Sequence, residues 1–430
     1  MNSKLAGKKI LFSNVPADGH FNPLSGLAKY LTELGCDVRW LSSSICAEKI
    51  KKLSIPYYPL VKTLDINATN IFELVPEIRT NDAEKRIAIY RIQYALHSSE
   101  YFEDIRDIYK SFPFDLIVVD SFFPAIPYIK HLLPVPLVAI GIVPLAEDSV
   151  DTAPYGYALW PPKNEEERKT YADLYQKTPE RYLEATNIFE SLLAEYGVPY
   201  TRMAIENRLI READVYLQIG APEFEYPRRD IGKNIHFIGA LLPYSPEDQS
   251  KKWYDPRLQV YSKVILVTQG TVEKDSGKLI IPTIEAFRDT NVLLIVTTGG
   301  SRTQELRDQY EAENVIIEDF IPFKDVMPYV NVYVTNGGYG GTLLSITHKV
   351  PMLVAGLHEG KNEVCARVGY FKLGIDLKTE TPDIATIREG VITILADQQY
   401  KENVSRLADT LNTYHSLQLC AEHIENLLGL

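Results

Sequence analysis

Short apolar runs alternate with longer stretches whose apolar positions recur at helical spacing, and the alternation continues along the whole chain. In the first half, Lys9–Val15, Asp37–Ser42, Asp115–Asp120, Val135–Ile142 and Asp214–Ile219 read as buried strands. In the second half, Lys263–Thr268, Val292–Thr298, Val315–Glu318, Val332–Thr335 and Met352–Ala355 read the same way. Between the first two strands, Leu24, Leu27, Ala28, Leu31 and Leu34 mark an amphipathic helix, with Asn22 expected as its N-cap and Pro23 at its first helical position. Two successive strand–helix series predict an α/β protein made of two doubly wound, Rossmann-like domains facing across a cleft.

A chain of 430 residues suits two domains. The stretch Pro243–Pro256 is polar, aperiodic and carries three prolines, so the linker is expected at residues 243–258. Residues 1–242 then form the first domain, 259–400 the second, and 401–430 a closing helical segment. The charged stretch Pro161–Arg211 reads as a helical insertion over the first domain. A net charge of −12 argues against a nucleic-acid partner, which needs a basic face. It gives no support to stable membrane association either. Cys36, Cys46, Cys365 and Cys420 have neither CxxC nor zinc-ligand spacing, which suits free thiols in a reducing cytoplasm. The opening segment is too short in apolar residues for a signal peptide, and prolines break Leu132–Ala146 before it reaches the length of a membrane span.

The loop after the first strand reads Asn14-Val15-Pro16-Ala17-Asp18-Gly19-His20-Phe21-Asn22-Pro23. Parallel sheets place ligands at such carboxyl ends. Gly19 is expected to allow an unusual backbone angle that projects His20 into the cleft. His20 is then either a turn histidine held by local hydrogen bonds or a base for an alcohol proton. Asp120 ends another strand of the same sheet, and is either a helix cap before Ser121–Ile126 or the carboxylate that fixes the imidazole tautomer. In the second half, Asn336-Gly337-Gly338-Tyr339-Gly340-Gly341-Thr342 joins a strand to a helix and offers backbone amides to a phosphate. Gln269-Gly270-Thr271 and Gly299-Gly300-Ser301 follow two further strands, so three glycine loops share one sheet edge. They match neither the dinucleotide fingerprint nor the P-loop. No Asp-x-Asp triplet is present to bridge a diphosphate through a metal. Phe320 is either a core residue or a platform for a base.

At these residues the sequence resembles glycosyltransferase family 1, the GT-B enzymes that include plant secondary-product and bacterial macrolide glycosyltransferases. Ile10–Ser43 resembles the family's opening strand, Gly-His-x-x-Pro loop and first helix; Ala221–Leu242 resembles the segment leading to its linker, and Asn314–Gly374 its donor signature. The resemblance implies an inverting hexosyltransferase with the acceptor in the first domain and a nucleoside-diphosphate sugar in the second. His20 would be the base and Asp120 its orienter. The diphosphate would rest on Thr271 and the Gly337–Gly341 amides, without metal or other cofactor. Phe320 would stack on the nucleobase beside the Ile321 backbone, and the final helix would cross back to the first domain.

Departures from the family pattern fall on the donor side. Asn336 stands where a histidine usually touches the diphosphate, and Leu344 where a glutamate often holds the ribose hydroxyls. Gly360 and Lys361 occupy the place of the Asp-Gln pair that grips the sugar. Donor contacts are therefore expected from Gly270, Thr271, Phe320, Ile321, Asn336, Gly337, Gly338, Gly340, Gly341, Thr342, Glu359, Lys361 and Asn362. The loss at Leu344 favours a thymidine-diphosphate donor over UDP-glucose, and the missing Asp-Gln pair suits a deoxysugar such as rhamnose. Phe21, Tyr94, Phe122, Phe123 and Trp160, with Tyr155 and Tyr157, are expected to line an aromatic wall for a flat acceptor such as a flavonoid. Two other readings stay open: a GT-B epimerase or hydrolase, and a non-catalytic binding or helper protein. The protein is expected to act as a cytoplasmic monomer or homodimer on a small-molecule acceptor and a nucleotide-sugar.

Overall fold

The computed structural model describes residues 3–80, 82–244, 252–270 and 273–430. Residues 245–251 of the expected linker, and Thr271 of the expected donor site, therefore lie outside the described residues. The first half holds seven strands: β1 (Lys9–Ser13), β2 (Asp37–Ser42), β3 (Tyr57–Pro59), β4 (Leu116–Asp120), β5 (Leu137–Gly141), β6 (Val215–Gln218) and β7 (Ile235–Phe237). The second holds β8 (Val264–Thr268), β9 (Leu293–Thr297), β10 (Val315–Glu318), β11 (Val332–Thr335), β12 (Met352–Val354) and β13 (Gly374–Asp376). Every pairing between these strands is parallel, in the orders β3-β2-β1-β4-β5-β6-β7 and β10-β9-β8-β11-β12-β13. Strands β4, β5, β8 and β9 are buried along their whole length, as continuous Val/Ile/Leu runs covered on both faces must be. Strands β3, β7 and β13 escaped the sequence reading. Each is three residues long and lies towards a sheet edge, so it carries too few apolar positions to register.

Strand order reverses direction beside β1 in the first sheet and beside β8 in the second. At each reversal the connecting segments leave on opposite faces and open a crevice at the carboxyl ends. Ser13 pairs with Val119 at one crevice, and Thr268 with Thr335 at the other.

The first helix corrects its expected start. It runs Asp18–Glu33, with extended Ala17 as its N-cap; Asn22 is not the cap, and Pro23 lies inside the helix. His20 and Phe21 both donate their backbone N–H to Ala17 O at 3.0 Å, and acidic Asp18 favours this early start against the helix dipole. Gly19 consequently has no left-handed backbone angle.

The charged insertion folds as helices Glu165–Arg181, Leu183–Glu195 and Ile205–Glu212. The closing segment is two helices, Gln398–Leu411 and Ser416–Leu427, rather than one run. The second of these packs on the first helix and on β6, and Ser416 Oγ donates to Ala240 O at 3.1 Å. One apolar cluster continues from Phe12 and Val118 through Phe224 and Tyr339 to Leu266 and Met352, joining the two sheets.

Candidate active site

The β1–helix loop is shaped from beneath by a residue the sequence reading passed over. Asn14 is fully buried; its Oδ1 accepts from Trp40 Nε1 (2.8 Å) and Ser42 Oγ (3.0 Å), and its Nδ2 donates to Val15 O (2.7 Å). An asparagine just past a strand, with a tryptophan on the neighbouring strand, was the available signal. This network anchors the loop that leads into the first helix, in whose first turn His20 sits.

His20 Nδ1 lies 2.9 Å from Asp120 Oδ1, with 23 % of the imidazole side chain exposed and none of the carboxylate. Asp120 also accepts from Val15 N–H at 2.7 Å and Phe122 N–H at 2.9 Å. An ionised carboxylate only accepts, so the hydrogen belongs on Nδ1 and the lone pair on Nε2. The carboxylate is locked to both neighbouring loops and holds the ring in one tautomer. Asp120 does not cap a helix, because the next helix is Ile126–Leu132, with Ala125 as its cap.

The acceptor-side residues divide. Phe122 meets the His20 ring edge-on at 5.8 Å between centroids. The Tyr94 hydroxyl is buried without a partner, and burial, reinforced by the Asp120 charge, pushes its pKa well up. These two surround the His20–Asp120 pair. Phe21 and Phe123 do not belong to a wall. Phe21 lies 4.8 Å from Trp40 on the apolar stripe that the early helix start gives it with Leu24 and Ala28, while Phe123 is fully buried against Tyr101. Trp160 docks on the second half instead, its Nε1 donating to Ala366 O at 3.1 Å and its ring set against Tyr370. Tyr155 is half-buried, its hydroxyl enclosed without a partner where it nears Gly360.

At the second crevice, Gly270 (φ +74°) and Gly337 (φ +81°) turn the chain sharply after β8 and β11. Asn336 Nδ2 donates to Gln269 O at 2.5 Å and ties the two turns together. Gly338 caps the helix Tyr339–Thr347, whose dipole points into the crevice. Thr342 sits in that helix, fully buried, with Oγ1 lacking a partner. A methyl group built on Gly338 or Gly340 would touch nothing, so the backbone there is open to close approach. Phe320 is 68 % exposed, which removes the core reading, and its ring passes over Gly300. Ile321 beside it is buried. Lys361 and Glu359 form a 2.6 Å ion pair next to the turn. Asn362 is engaged elsewhere, its Nδ2 donating to Gly156 O at 2.8 Å.

That last bond belongs to a bridge between the halves that the sequence reading missed. Glu363 Oε1 accepts from the Gly156 and Ala158 N–H groups, both at 2.8 Å, and its Oε2 lies 2.9 Å from Arg367. Arg367 also donates to Glu225 Oε2 through Nε (3.0 Å) and Nη2 (2.8 Å), and stacks over Tyr226. Burial opposes the Arg367 charge, but Glu225 and Glu363 outweigh it and its pKa is raised. Tyr339 Oη donates to Ile219 O at 2.7 Å, a further link from the glycine turn to the first half. The signal available was an Arg four residues after a Glu on one helix, a pattern too common to single out.

The description "Erythromycin biosynthesis protein CIII-like, C-terminal domain" fits residues 287–427. The chain is 28% identical to 4′-demethylrebeccamycin synthase of Lentzea aerocolonigenes over 98% of its own length and all of that protein's. It is 29% identical to UDP-glucosyltransferase 1 of Beauveria bassiana, covering 93% of the chain and 91% of the relative. The calicheamicin glycosyltransferase structure superposes with a TM-score of 0.76 at 19% identity, over 98% of each chain. Two parallel sheets with flanking helices thus form a GT-B fold. The chain is a glycosyltransferase that transfers sugar from a nucleotide-sugar, and these likenesses support a place in glycosyltransferase family 1. Among the described residues there is no group of three or more His, Cys, Asp or Glu placed to hold a metal, and no helix is long and apolar enough to cross a membrane.

Proposed function

We propose that the transfer is inverting, with His20 as general base and Asp120 as its positioning residue. The carrying observation is the 2.9 Å contact between His20 Nδ1 and a fully buried Asp120 that is itself held by two backbone N–H groups. Nε2 takes the proton of an acceptor hydroxyl as its oxygen attacks the anomeric carbon from the face opposite the diphosphate. The bond from that carbon to the diphosphate oxygen breaks, and the electron pair leaves on the phosphate. Charge on the leaving group can be met by the N-terminus of the helix Tyr339–Thr347 and the amides from Gly337 to Gly341, which is why the reaction is read as metal-independent.

Phe320 serves as the base platform, the neighbouring Ile321 backbone reads the base edge, and Gly270 borders the phosphates. Leu344 offers no carboxylate for ribose hydroxyls, which supports a thymidine-diphosphate donor, and the missing Asp-Gln pair at Gly360 and Lys361 suits a deoxysugar with fewer hydroxyls to hold. UDP-glucose is the competing donor, and the name of the Beauveria relative favours it. Phe122 beside His20 suits a flat phenolic acceptor of the flavonoid type.

The test is a matrix of thymidine- and uridine-diphosphate sugars against flavonols, simple phenols and macrolides, with chelator present and the anomeric configuration read by NMR coupling. An inverted glycoside of a flat phenolic, formed with chelator present, is expected. A retained configuration would overturn the mechanism, and sugar release without acceptor would move the reading to a hydrolase.

A further inference from the structure

Sugar transfer leaves a nucleoside diphosphate carrying charge that must be met beside the glycine turn. A helix N-terminus supplies about half a unit charge. Asn336 adds none, and its Nδ2 is already engaged with Gln269 O. Lys361 is the first residue of the helix Lys361–Tyr370, directly behind that turn. A Cβ built on Gly337 would lie 3.4 Å from Lys361 O and 3.9 Å from Lys361 Cβ, and one built on Gly356 would lie 3.0 Å from the same Cβ. The lysine stem therefore rises from the floor of the turn.

Its ammonium pairs with Glu359 Oε2 at 2.6 Å. Glu359 (φ +59°) and Gly360 (φ +76°) are both left-handed, a conformation glutamate adopts only at a cost, and this bend brings Glu359 back beside Lys361. Glu273, in the loop after β8, feels the same ammonium: burial raises its pKa, but Lys278, the Asp275 N–H and the charge of Lys361 together bring it down. Lys278 itself is held between two carboxylates, Glu273 at 2.6 Å and Glu380 at 3.3 Å. Lys361 faces one.

We propose that Lys361 is the cation that neutralises the departing diphosphate, exchanging Glu359 for phosphate oxygens when the donor binds. This rests on the glycosyl-transfer reading and gives Lys361 the charge-bearing place that the sequence resemblance assigns to position 336. Lys361 is thereby separated from the sugar hydroxyls.

Calorimetric titration of the full chain with dTDP, UDP and the matching monophosphates tests it in the wild type, Lys361→Met, Lys361→Arg and Glu359→Gln. Wild-type binding of a diphosphate comes first; its absence sinks the donor reading as a whole. Given that binding, Lys361→Met is expected to weaken the diphosphate roughly 10- to 100-fold, and at least about 10-fold more than the monophosphate. Lys361→Arg should retain most of the affinity, and Glu359→Gln should tighten binding by freeing the ammonium. Equal losses for mono- and diphosphate in Lys361→Met, or an unchanged diphosphate affinity, would overturn the assignment while leaving the donor reading intact.

Discussion

The two crevices occupy equivalent places in their sheets but are built from different materials. Beside β1 the chemistry lies in side chains: an imidazole fixed by a buried carboxylate that is itself held by two backbone N–H groups. Beside β8 it lies mostly in backbone, with left-handed glycines, a helix N-terminus and open Cα positions, to which the proposed role of Lys361 adds a charge. The difference fits the task proposed for each. Taking a proton requires one lone pair at one place in one tautomer, and only a satisfied network gives that. Holding a diphosphate requires several weak donors and close approach, which side chains would obstruct.

The sharpest way to break this contrast is to remove the first network. His20→Ala should lower turnover on the order of 10²–10⁴-fold with nucleotide affinity unchanged. Asp120→Asn should fall in the same range, because an amide no longer enforces the tautomer. Single-turnover rates alongside diphosphate titration check both. Equal turnover in a folded His20→Ala variant would remove proton transfer from the first crevice.

The two halves are not separable, because a buried ionic bridge joins them. Arg367→Met leaves Glu225 and Glu363 buried without their cation, at a cost of about 3–5 kcal/mol by denaturant titration. The exposed pair Lys349–Asp409 is the control, and Lys349→Met should change stability by less than about 1 kcal/mol. Matching small effects from both would mean that the halves are held together mainly by apolar contact.

Within the second crevice, two glycines should respond in opposite ways. At Gly337 a methyl would meet Cys365 Sγ at 2.5 Å on a backbone of φ +81°, so Gly337→Ala should destabilise by roughly 1–3 kcal/mol. At Gly340 a methyl meets nothing and the residue is helical, so Gly340→Ala should keep stability or raise it by up to about 1 kcal/mol. Yet a diphosphate approaching that backbone would strike the new methyl. Gly340→Ala is therefore expected to bind diphosphate more weakly while melting no lower, read by calorimetry beside thermal unfolding.

Legibility in the sequence followed the same division. Long apolar strands such as Leu116–Asp120 and Val264–Thr268 announced both sheets, because burial on two faces leaves uninterrupted runs. The three-residue edge strands left no such trace. His20, Asp120 and the glycine turns stood out because their residue types are unusual at strand ends. The start of the first helix did not, since Asn22-Pro23 mimics a cap although the helix already begins at Asp18 behind extended Ala17. Phe21, Phe123 and Trp160 were misplaced for a related reason. An aromatic residue looks the same in sequence whether it faces a ligand or the core, and only the helix phase or a cross-half partner such as Ala366 O separates the two.

Phe320 carries the smallest effect and the cleanest separation of binding from folding. With 68 % of its surface exposed, its removal gives up little burial, so Phe320→Ala should alter stability by no more than about 0.5 kcal/mol. Stacking of an aromatic side chain on a base is worth roughly 1–3 kcal/mol, so the same change should weaken nucleotide binding by about 10-fold or more. Because every base has a π-face, the loss should be similar for uridine and thymidine diphosphates, whereas Phe320→Tyr should keep most of the affinity. Intact affinity in Phe320→Ala would detach the exposed ring from the donor and leave the second crevice a binder of phosphate alone.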